Sequence, residues 1–143
     1  MREYVMPDIQ IGMRESFTKT ITKEMENCFR DLTGDVNPLH CDDSFADLVM
    51  MSRKPRGHVC FGMLTASLYS TLAGVYLPGK YSLIHSFDEL AFVKPVYAGD
   101  VLSVSGEVAE KWDELGLILV KAAIRNQEGQ IVSKTKIKIK LLK

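Results

Sequence analysis

The sequence contains little cysteine, and its cysteines form no recognisable pattern. There are three, an odd number, and no two of them have the Cys-x-x-Cys spacing. A disulfide framework or a cysteine-based zinc site is therefore not expected. We expect Cys28, Cys41 and Cys60 to be small buried hydrophobic residues instead.

An excess of charge of either sign is also absent. Lysine plus arginine and aspartate plus glutamate both number 18, which gives a formal net charge of zero. Nucleic-acid binders normally carry a basic excess, so this composition argues against that class of protein. The same balance is compatible with an obligate oligomer that hides part of its surface.

Long apolar runs are missing as well. No stretch of the sequence has the length of apolar residues that a membrane-spanning helix needs. The first residues also lack the basic start and the following apolar run of a signal peptide. We therefore expect a cytoplasmic protein without a membrane partner.

The residues that are present suffice for one folded unit. A length of 143 residues predicts a single domain over 1–143, and 46% of the residues are hydrophobic. Helices are predicted over 22–32, with Thr22 as the N-cap, from Asp42 onward and over 62–77. The buried side of the second helix is expected to contain Phe45, Leu48, Val49 and Met51. The third helix is the most apolar segment and is expected to be buried on most sides.

The second half of the sequence predicts strands. They cover 14–21 near the start and then 81–93, 101–112 and 115–126. Both faces of the strand 115–126 are expected to be covered. In the last strand, lysines at 134, 136, 138 and 140 alternate with apolar residues and threonine. We expect the lysines to form a solvated face that also discourages edge-to-edge aggregation. Strands grouped after helices indicate an α+β fold. A sheet wrapped around one helix leaves a large surface, which a dimer would cover.

The segment from Thr33 to His40 reads Thr-Gly-Asp-Val-Asn-Pro-Leu-His. Gly34 is a signal for the end of a helix, and Pro38 is expected to keep the helix from resuming. Asp35 and His40 would then lie on a rigid loop that can direct both side chains at one point, as a general acid/base pair. The alternative is ordinary turn chemistry, in which Asp35 and Asn37 cap backbone groups.

This segment and several later ones resemble the MaoC-like (R)-specific enoyl-CoA hydratases, which have the hotdog fold. The residues that carry the resemblance are the 33–40 segment with Asp42, Phe45 and Ala46, then Gly62–Met63–Leu64–Thr65–Ala66–Ser67–Leu68, Leu77–Pro78–Gly79–Lys80, and 92–100. The resemblance covers 17–143 and implies an antiparallel curved sheet wrapped around one long central helix, in a homodimer or a larger homo-oligomer. It implies no metal and no cofactor.

The resemblance also implies an activity and a set of site residues. The reaction would be the reversible hydration of a trans-2-enoyl thioester to an (R)-3-hydroxyacyl thioester, with Asp35 and His40 as the catalytic pair. The Gly62 N–H at the start of the central helix would bind the thioester oxygen. Asn37 would position the loop or the substrate, or only form the turn. Ser67 would support the site, or only bond to the preceding helical turn.

The sequence departs from this family in two places. The family usually has His-Gly-Met where this chain has Phe61–Gly62–Met63, and the nearby His58 lies three residues too early. Either Phe61 replaces a structural histidine, or the site is altered. The segment 46–61 is also several residues longer than usual, so no acyl-chain length is predicted. His85 has no counterpart in the family and is expected to be a tolerated or packed residue.

Two other functions stay open on the sequence alone. A thioesterase of the same fold would direct water at the carbonyl carbon, and a non-catalytic module would only bind acyl-CoA. The substrate carrier is coenzyme A or an acyl carrier protein. Arg53, Lys54 and Arg56 lie in a polar loop with Pro55 and Gly57 that is either a solvated connection or a contact for a phosphate of the ligand.

Overall fold

The computed structural model describes residues 1–143 and contains five strands and four helices. In chain order these are β1 (Arg14–Thr20), α1 (Lys23–Thr33), α2 (Pro38–Cys41), α3 (Asp43–Met50), α4 (Gly62–Thr71), β2 (Ser82–Phe92), β3 (Val101–Trp112), β4 (Leu117–Arg125) and β5 (Ile131–Leu141). A π-helical turn, Leu72–Tyr76, extends α4 directly. None of the helices is both long and apolar enough to cross a bilayer.

All five strands form one antiparallel sheet in the order β1-β3-β4-β5-β2. The strands β1 and β2 therefore lie at the edges, and β5 lies inside the sheet. Period-two alternation places one side of each central strand in the core. The fully buried side chains on that side include Leu102, Val104, Val108, Ile118, Val120, Ile124, Ile137 and Ile139.

The helix α4 packs against this buried side of the sheet. Leu64, Leu68 and Leu72 recur at helical spacing, and all three belong to the same core cluster as the inward-facing residues of the sheet. Tyr69 is fully buried, and its hydroxyl donates a hydrogen bond to Ser133 Oγ at 3.0 Å. The buried phenol therefore has a partner, and burial raises its pKa to about 12. The predicted buried central helix is confirmed.

The first helix begins and ends as its sequence signals predict. Thr22 caps α1 by accepting a hydrogen bond from the Met25 N–H at 3.2 Å. Gly34 ends it in the left-handed conformation, and its N–H donates to the Arg30 carbonyl at 2.8 Å. Since φ is +75° at this position, glycine is the residue that fits it best.

The expected burial of the α3 side chains is wrong for the single chain. Phe45, Leu48, Val49 and Met51 are all exposed, and Ala46 is the one buried residue of the helix. The side of α3 that meets the chain carries Asp43 and the half-buried Asp47, which bind the backbone of 56–58. The helix thus uses carboxylates for its internal contacts, and its apolar residues face away.

Three smaller expectations also differ from the structure. Cys28 and Cys41 are exposed, and only Cys60 is buried. One face of β4 is buried, whereas Leu117, Leu119 and Ala123 on the other face remain partly accessible. The lysines of β5 lie on the accessible face of an interior strand, so they do not guard a sheet edge.

A glycine in β3 sets how closely the sheet approaches the helical turn. A Cβ added at Gly106 would lie 2.8 Å from Val120 Cγ1 and 2.9 Å from Leu72 Cδ2. We expect Gly106→Ala to lower the free energy of unfolding by about 1–3 kcal/mol, as overpacked cores do. Urea unfolding monitored by circular dichroism measures the change.

Gly74→Ala is the matched control, because an added Cβ at Gly74 meets no atom within 4 Å. Its unfolding free energy should equal that of the native chain or exceed it slightly. Equal stability of the two variants would contradict the close approach at Gly106.

Candidate active site

The loop between α1 and α2 is built from side chains that cap backbone groups. Asp35 Oδ1 accepts a hydrogen bond from the Asn37 N–H at 3.1 Å. Asn37 Oδ1 accepts one from the Leu39 N–H at 3.0 Å and thereby caps α2. Both side chains are exposed. The turn chemistry that the sequence left open as an alternative is therefore present in this loop.

Pro38 begins a helix, contrary to the expectation that it would prevent one. It occupies the first position of α2, where a proline is favoured because the N–H there has no intrahelical partner. His40 consequently lies on a short helix, whereas Asp35 lies on the loop before it.

The ring of His40 is held in one orientation. Its Nδ1 lies 2.7 Å from the Val59 carbonyl oxygen. A carbonyl only accepts hydrogen bonds, so Nδ1 carries the proton and Nε2 of the neutral ring is left as an acceptor. A half-buried imidazole with a free basic nitrogen can take a proton from water and return it.

Phe61 packs against the His40 ring, with 4.5 Å between the ring centroids, and against Phe29 at 5.0 Å. Its side chain is almost fully buried and contributes apolar contact without a hydrogen bond. The residue that replaces the expected histidine thus supports His40 by packing alone.

His40 and Gly62 line one cavity of about 340 Å³. Gly62 is the first residue of α4, where backbone N–H groups lack intrahelical acceptors and the helix dipole is positive. The remaining lining is largely apolar and comes from Val59, Cys60, Thr65, Phe92, Val93, Lys94, Pro95, Val96 and Val132. The cavity therefore combines a base, a backbone donor site and an apolar wall.

The other predicted site residues lie outside this lining. Asp35 and Asn37 are exposed on the loop before α2. Ser67 is exposed on α4, and its hydroxyl donates to the Leu64 carbonyl at 2.6 Å, which is a bond to the preceding helical turn. On the same helix Thr65 lines the cavity.

A second polar group lies behind His40 and includes a residue that the sequence did not indicate. Glu26 of α1 is almost fully buried, and its Oε2 lies 2.9 Å from His58 Nε2. His58 Nδ1 lies 2.6 Å from Asp43 Oδ1. We refer to Glu26, Asp43 and His58 as the His58 cluster. An acidic residue on the otherwise apolar side of an amphipathic helix was the available signal for Glu26.

The carboxylates and the imidazole of this cluster shift one another's ionisation. The hydrogen bond to Glu26 raises the pKa of His58, burial opposes the rise, and the bond to Asp43 adds to it. The His58 backbone N–H and then its ring lower the pKa of Asp43.

No group of three or more histidine, cysteine, aspartate or glutamate side chains is arranged to hold a metal ion.

Residues 52–56 of the polar loop are exposed, and Gly57 is half-buried. Arg56 stacks over the Tyr97 ring at 3.9 Å, and its Nη2 lies 3.5 Å from Asp100 Oδ1. Arg53 and Lys54 form no ion pair and extend into solvent. They are the two cations of the loop that a ligand could reach without breaking an existing contact.

Comparison with known proteins agrees with this geometry. Residues 8–129 match the family described as MaoC like domain. The chain is 34% identical over 111 residues to a 3-hydroxybutyryl-CoA dehydratase from Methylorubrum extorquens, covering 77% of this chain and 67% of the relative. It is 32% identical over 123 residues to an (R)-specific enoyl-CoA hydratase from Aeromonas caviae, covering 86% and 88%.

The solved structures that share this fold include the hydratase from A. caviae. The (R)-hydratase from A. caviae superimposes with a TM-score of 0.83 at 30% identity, over 93% of this chain and 97% of that one. An R-hydratase from Pseudomonas aeruginosa gives 0.85 at 26% identity, over 96% and 84%. The predicted hotdog architecture, a curved antiparallel sheet around a central helix, is thereby confirmed.

The three cysteines should differ in reactivity. Burial raises the pKa of the Cys60 thiol to about 12, so almost none of it is thiolate at mildly alkaline pH. We expect iodoacetamide to modify the exposed Cys28 and Cys41 of the folded protein and to spare Cys60. Peptide mass spectrometry measures the labelling, and the urea-unfolded chain, in which all three should react, is the control. Rapid labelling of Cys60 in the folded protein would contradict its burial.

Proposed function

The chain belongs to the MaoC-like family, and on that basis we propose that it hydrates trans-2-enoyl thioesters reversibly to (R)-3-hydroxyacyl thioesters. The observation that carries this proposal is the shared cavity of His40 and Gly62. It brings a basic nitrogen and a helix N-terminus to one apolar hollow, which are the groups that addition of water next to a thioester requires.

In the proposed reaction a water molecule is held between Asp35 and His40. One residue of the pair removes a proton as the water oxygen bonds to C3 of the enoyl group. One residue of the pair delivers a proton to C2, so that the elements of water are added in full. Dehydration follows the same path in reverse. The Asp35 oxygen that does not cap Asn37 is available for the water.

Negative charge develops on the thioester oxygen during this addition. The Gly62 N–H is the proposed donor to that oxygen, and the positive end of the α4 dipole adds to the stabilisation. The absence of a side chain also allows a close approach of the thioester to the backbone, although the Phe92 ring lies 3.4 Å from where a Cβ would be. Asn37 is proposed to hold the loop, and Ser67 to support α4 beside the site.

The proposed substrate carries an acyl group on coenzyme A or an acyl carrier protein. The apolar lining of the His40 cavity suits the acyl chain. Arg53 and Lys54 are unpaired cations that suit a phosphate of either carrier. This assignment gives the longer 46–61 segment a role in binding the carrier.

The proposed assembly is a homodimer or a larger homo-oligomer. Leu48 of α3 is 74% exposed, and Phe45 and Val49 next to it are also accessible. The edge strand β2 leaves Leu83 and Phe87 exposed as well. A second copy of the chain would cover such apolar surface, which an isolated chain leaves in water.

Replacing either residue of the proposed pair should nearly abolish hydration. We expect Asp35→Asn and His40→Ala each to lower kcat for crotonyl-CoA by about 10²–10⁴-fold, the range that positioned acid/base groups contribute. Loss of the enoyl thioester absorbance measures the rate, and circular dichroism with size-exclusion chromatography checks that fold and assembly are kept.

His85→Ala is the matched control, because this histidine lies outside the His40 cavity and its Nδ1 bonds to the neighbouring Ser86 hydroxyl. Since His85 lies between Leu83 and Phe87 on β2, size-exclusion chromatography checks that this variant keeps its assembly too. Its kcat should equal that of the native protein. Wild-type turnover in either Asp35→Asn or His40→Ala would show that the proposed pair is wrong.

A further inference from the structure

The His58 ring is bonded to a carboxylate through each of its nitrogens. Nε2 is 2.9 Å from Glu26 Oε2, and Nδ1 is 2.6 Å from Asp43 Oδ1. Ionised carboxylates only accept hydrogen bonds, so the ring can donate a hydrogen bond to each of them when both of its nitrogens carry protons. With both protons in place, the ring is an imidazolium that joins α1 to α3.

The backbone around His58 is fixed by the same helix α3. The His58 N–H donates to Asp43 Oδ1 at 2.9 Å, and the Gly57 N–H donates to Asp47 Oδ1 at 2.8 Å. A Cβ on Gly57 would lie 2.6 Å from Asp43 Oδ1, and φ there is +81°. The positive φ and the short approach to Asp43 both favour glycine at this position.

The next residue along the chain holds the His40 ring. The Val59 carbonyl oxygen accepts the Nδ1–H of His40 at 2.7 Å, and the Val59 N–H donates to the Leu39 carbonyl at 3.0 Å. The hydrogen bond that one ring nitrogen of a histidine makes determines which of the two nitrogens carries the proton. The position of the Val59 carbonyl therefore decides whether Nε2 is free to act as a base.

We propose that His58 is a positioning residue, which holds the 57–59 backbone between Glu26 and Asp43 so that the Val59 carbonyl fixes the His40 tautomer. This inference rests on the acid/base role of His40 proposed above. His58 acts through the backbone and touches no substrate. His58 thereby has a function in this segment that is separate from that of Phe61, which packs on the His40 ring.

The positive charge of His58 matters because Glu26 is buried. Its side chain is 6% exposed, and Glu26 Oε1 has no hydrogen-bond partner. Without the imidazolium, a buried carboxylate would be left without its counter-ion, which is strongly unfavourable. The backbone that carries His58 would then move to relieve it, and the Val59 carbonyl would move as well.

The charges around His58 also give the pH direction. The ionisable groups that share its hollow are Lys23, Glu26 and Arg30 of α1, His40 and Cys41 of α2, and Asp43 of α3. The two carboxylates raise the pKa of His58 above its ordinary value of 6.5. His58 is therefore fully protonated well below pH 6.5, and it loses its positive charge as the pH rises through its raised pKa. We expect kcat to fall over the same range.

The direct test is the ring nitrogen signal of His40 in the native protein and in His58→Gln. The chain has only three histidines, so His58→Gln and His85→Gln assign all of them. In the native protein and in the His85→Gln control, His40 should carry its proton on Nδ1. In His58→Gln, it should become a mixture of the two tautomers. An unchanged His40 signal in folded His58→Gln would overturn the proposal, whatever the activity.

Kinetics separate this inference from the proposed function. We expect His58→Gln to lower kcat by about 10–100-fold with little change in KM, and the fall of kcat at high pH to disappear. The His85→Gln control should keep the native kcat and pH profile. A changed His40 signal with native kcat would support the positioning and contradict the acid/base role of His40.

Glu26→Gln tests the same cluster if His58→Gln does not fold. The amide keeps an acceptor for the His58 Nε2–H but removes the charge that faces it. The His58 titration followed by NMR should move to lower pH, and the His40 tautomer should become mixed. A His58 titration that stays in place would overturn the proposal.

Discussion

The hydrogen bond from His40 Nδ1 to the Val59 carbonyl is the interaction on which the site depends. At 2.7 Å it assigns the proton of the neutral ring to Nδ1 and leaves Nε2 as an acceptor. The bond joins α2, which begins at Pro38, to the segment that leads into α4, which begins at Gly62. The imidazole and the helix N-terminus are thus held relative to each other by this bond, by the bond from the Val59 N–H to the Leu39 carbonyl and by the packing of Phe61 on His40.

The fold supplies the fixed frame for that contact. The helix α4 is buried against the sheet through its leucines and through the bond from Tyr69 to Ser133. Its N-terminus therefore has a defined place at the mouth of the cavity. On the other side, α3 binds the 56–58 backbone through Asp43 and Asp47. Polar contacts replace apolar packing on the inner side of α3, which explains why its leucine and valine side chains face outward.

Local signals in the sequence predicted much of this arrangement. The cap at Thr22, the helix end at Gly34, the buried central helix and the alternation of β5 each depend on neighbouring residues, and each is confirmed. The resemblance of 33–40 and of the Gly62 segment to one family led to the fold that the relatives share. His40 and Gly62 are two predicted site residues that lie far apart in the chain, and both line the same cavity.

The remaining errors concern contacts that only the folded chain defines. The apolar spacing of α3 predicted a buried face, but which face of a helix meets the chain depends on partners distant in sequence. Pro38 was expected to block a helix, although a proline is favoured at a first helical position. Glu26 lies in α1, which contains many polar residues, and its pairing with His58 spans 32 residues. No local pattern contains that information.

The measurement that tests the central claim most directly is the reaction of the purified protein with crotonyl-CoA. Absorbance of the conjugated enoyl thioester is followed while a thiol reagent reports free coenzyme A in parallel. We expect loss of absorbance without release of thiol, with (R)-3-hydroxybutyryl-CoA as the product. Release of thiol would indicate a thioesterase, and absence of both signals with short and long enoyl chains would indicate a binding module; either result would contradict the proposed hydration.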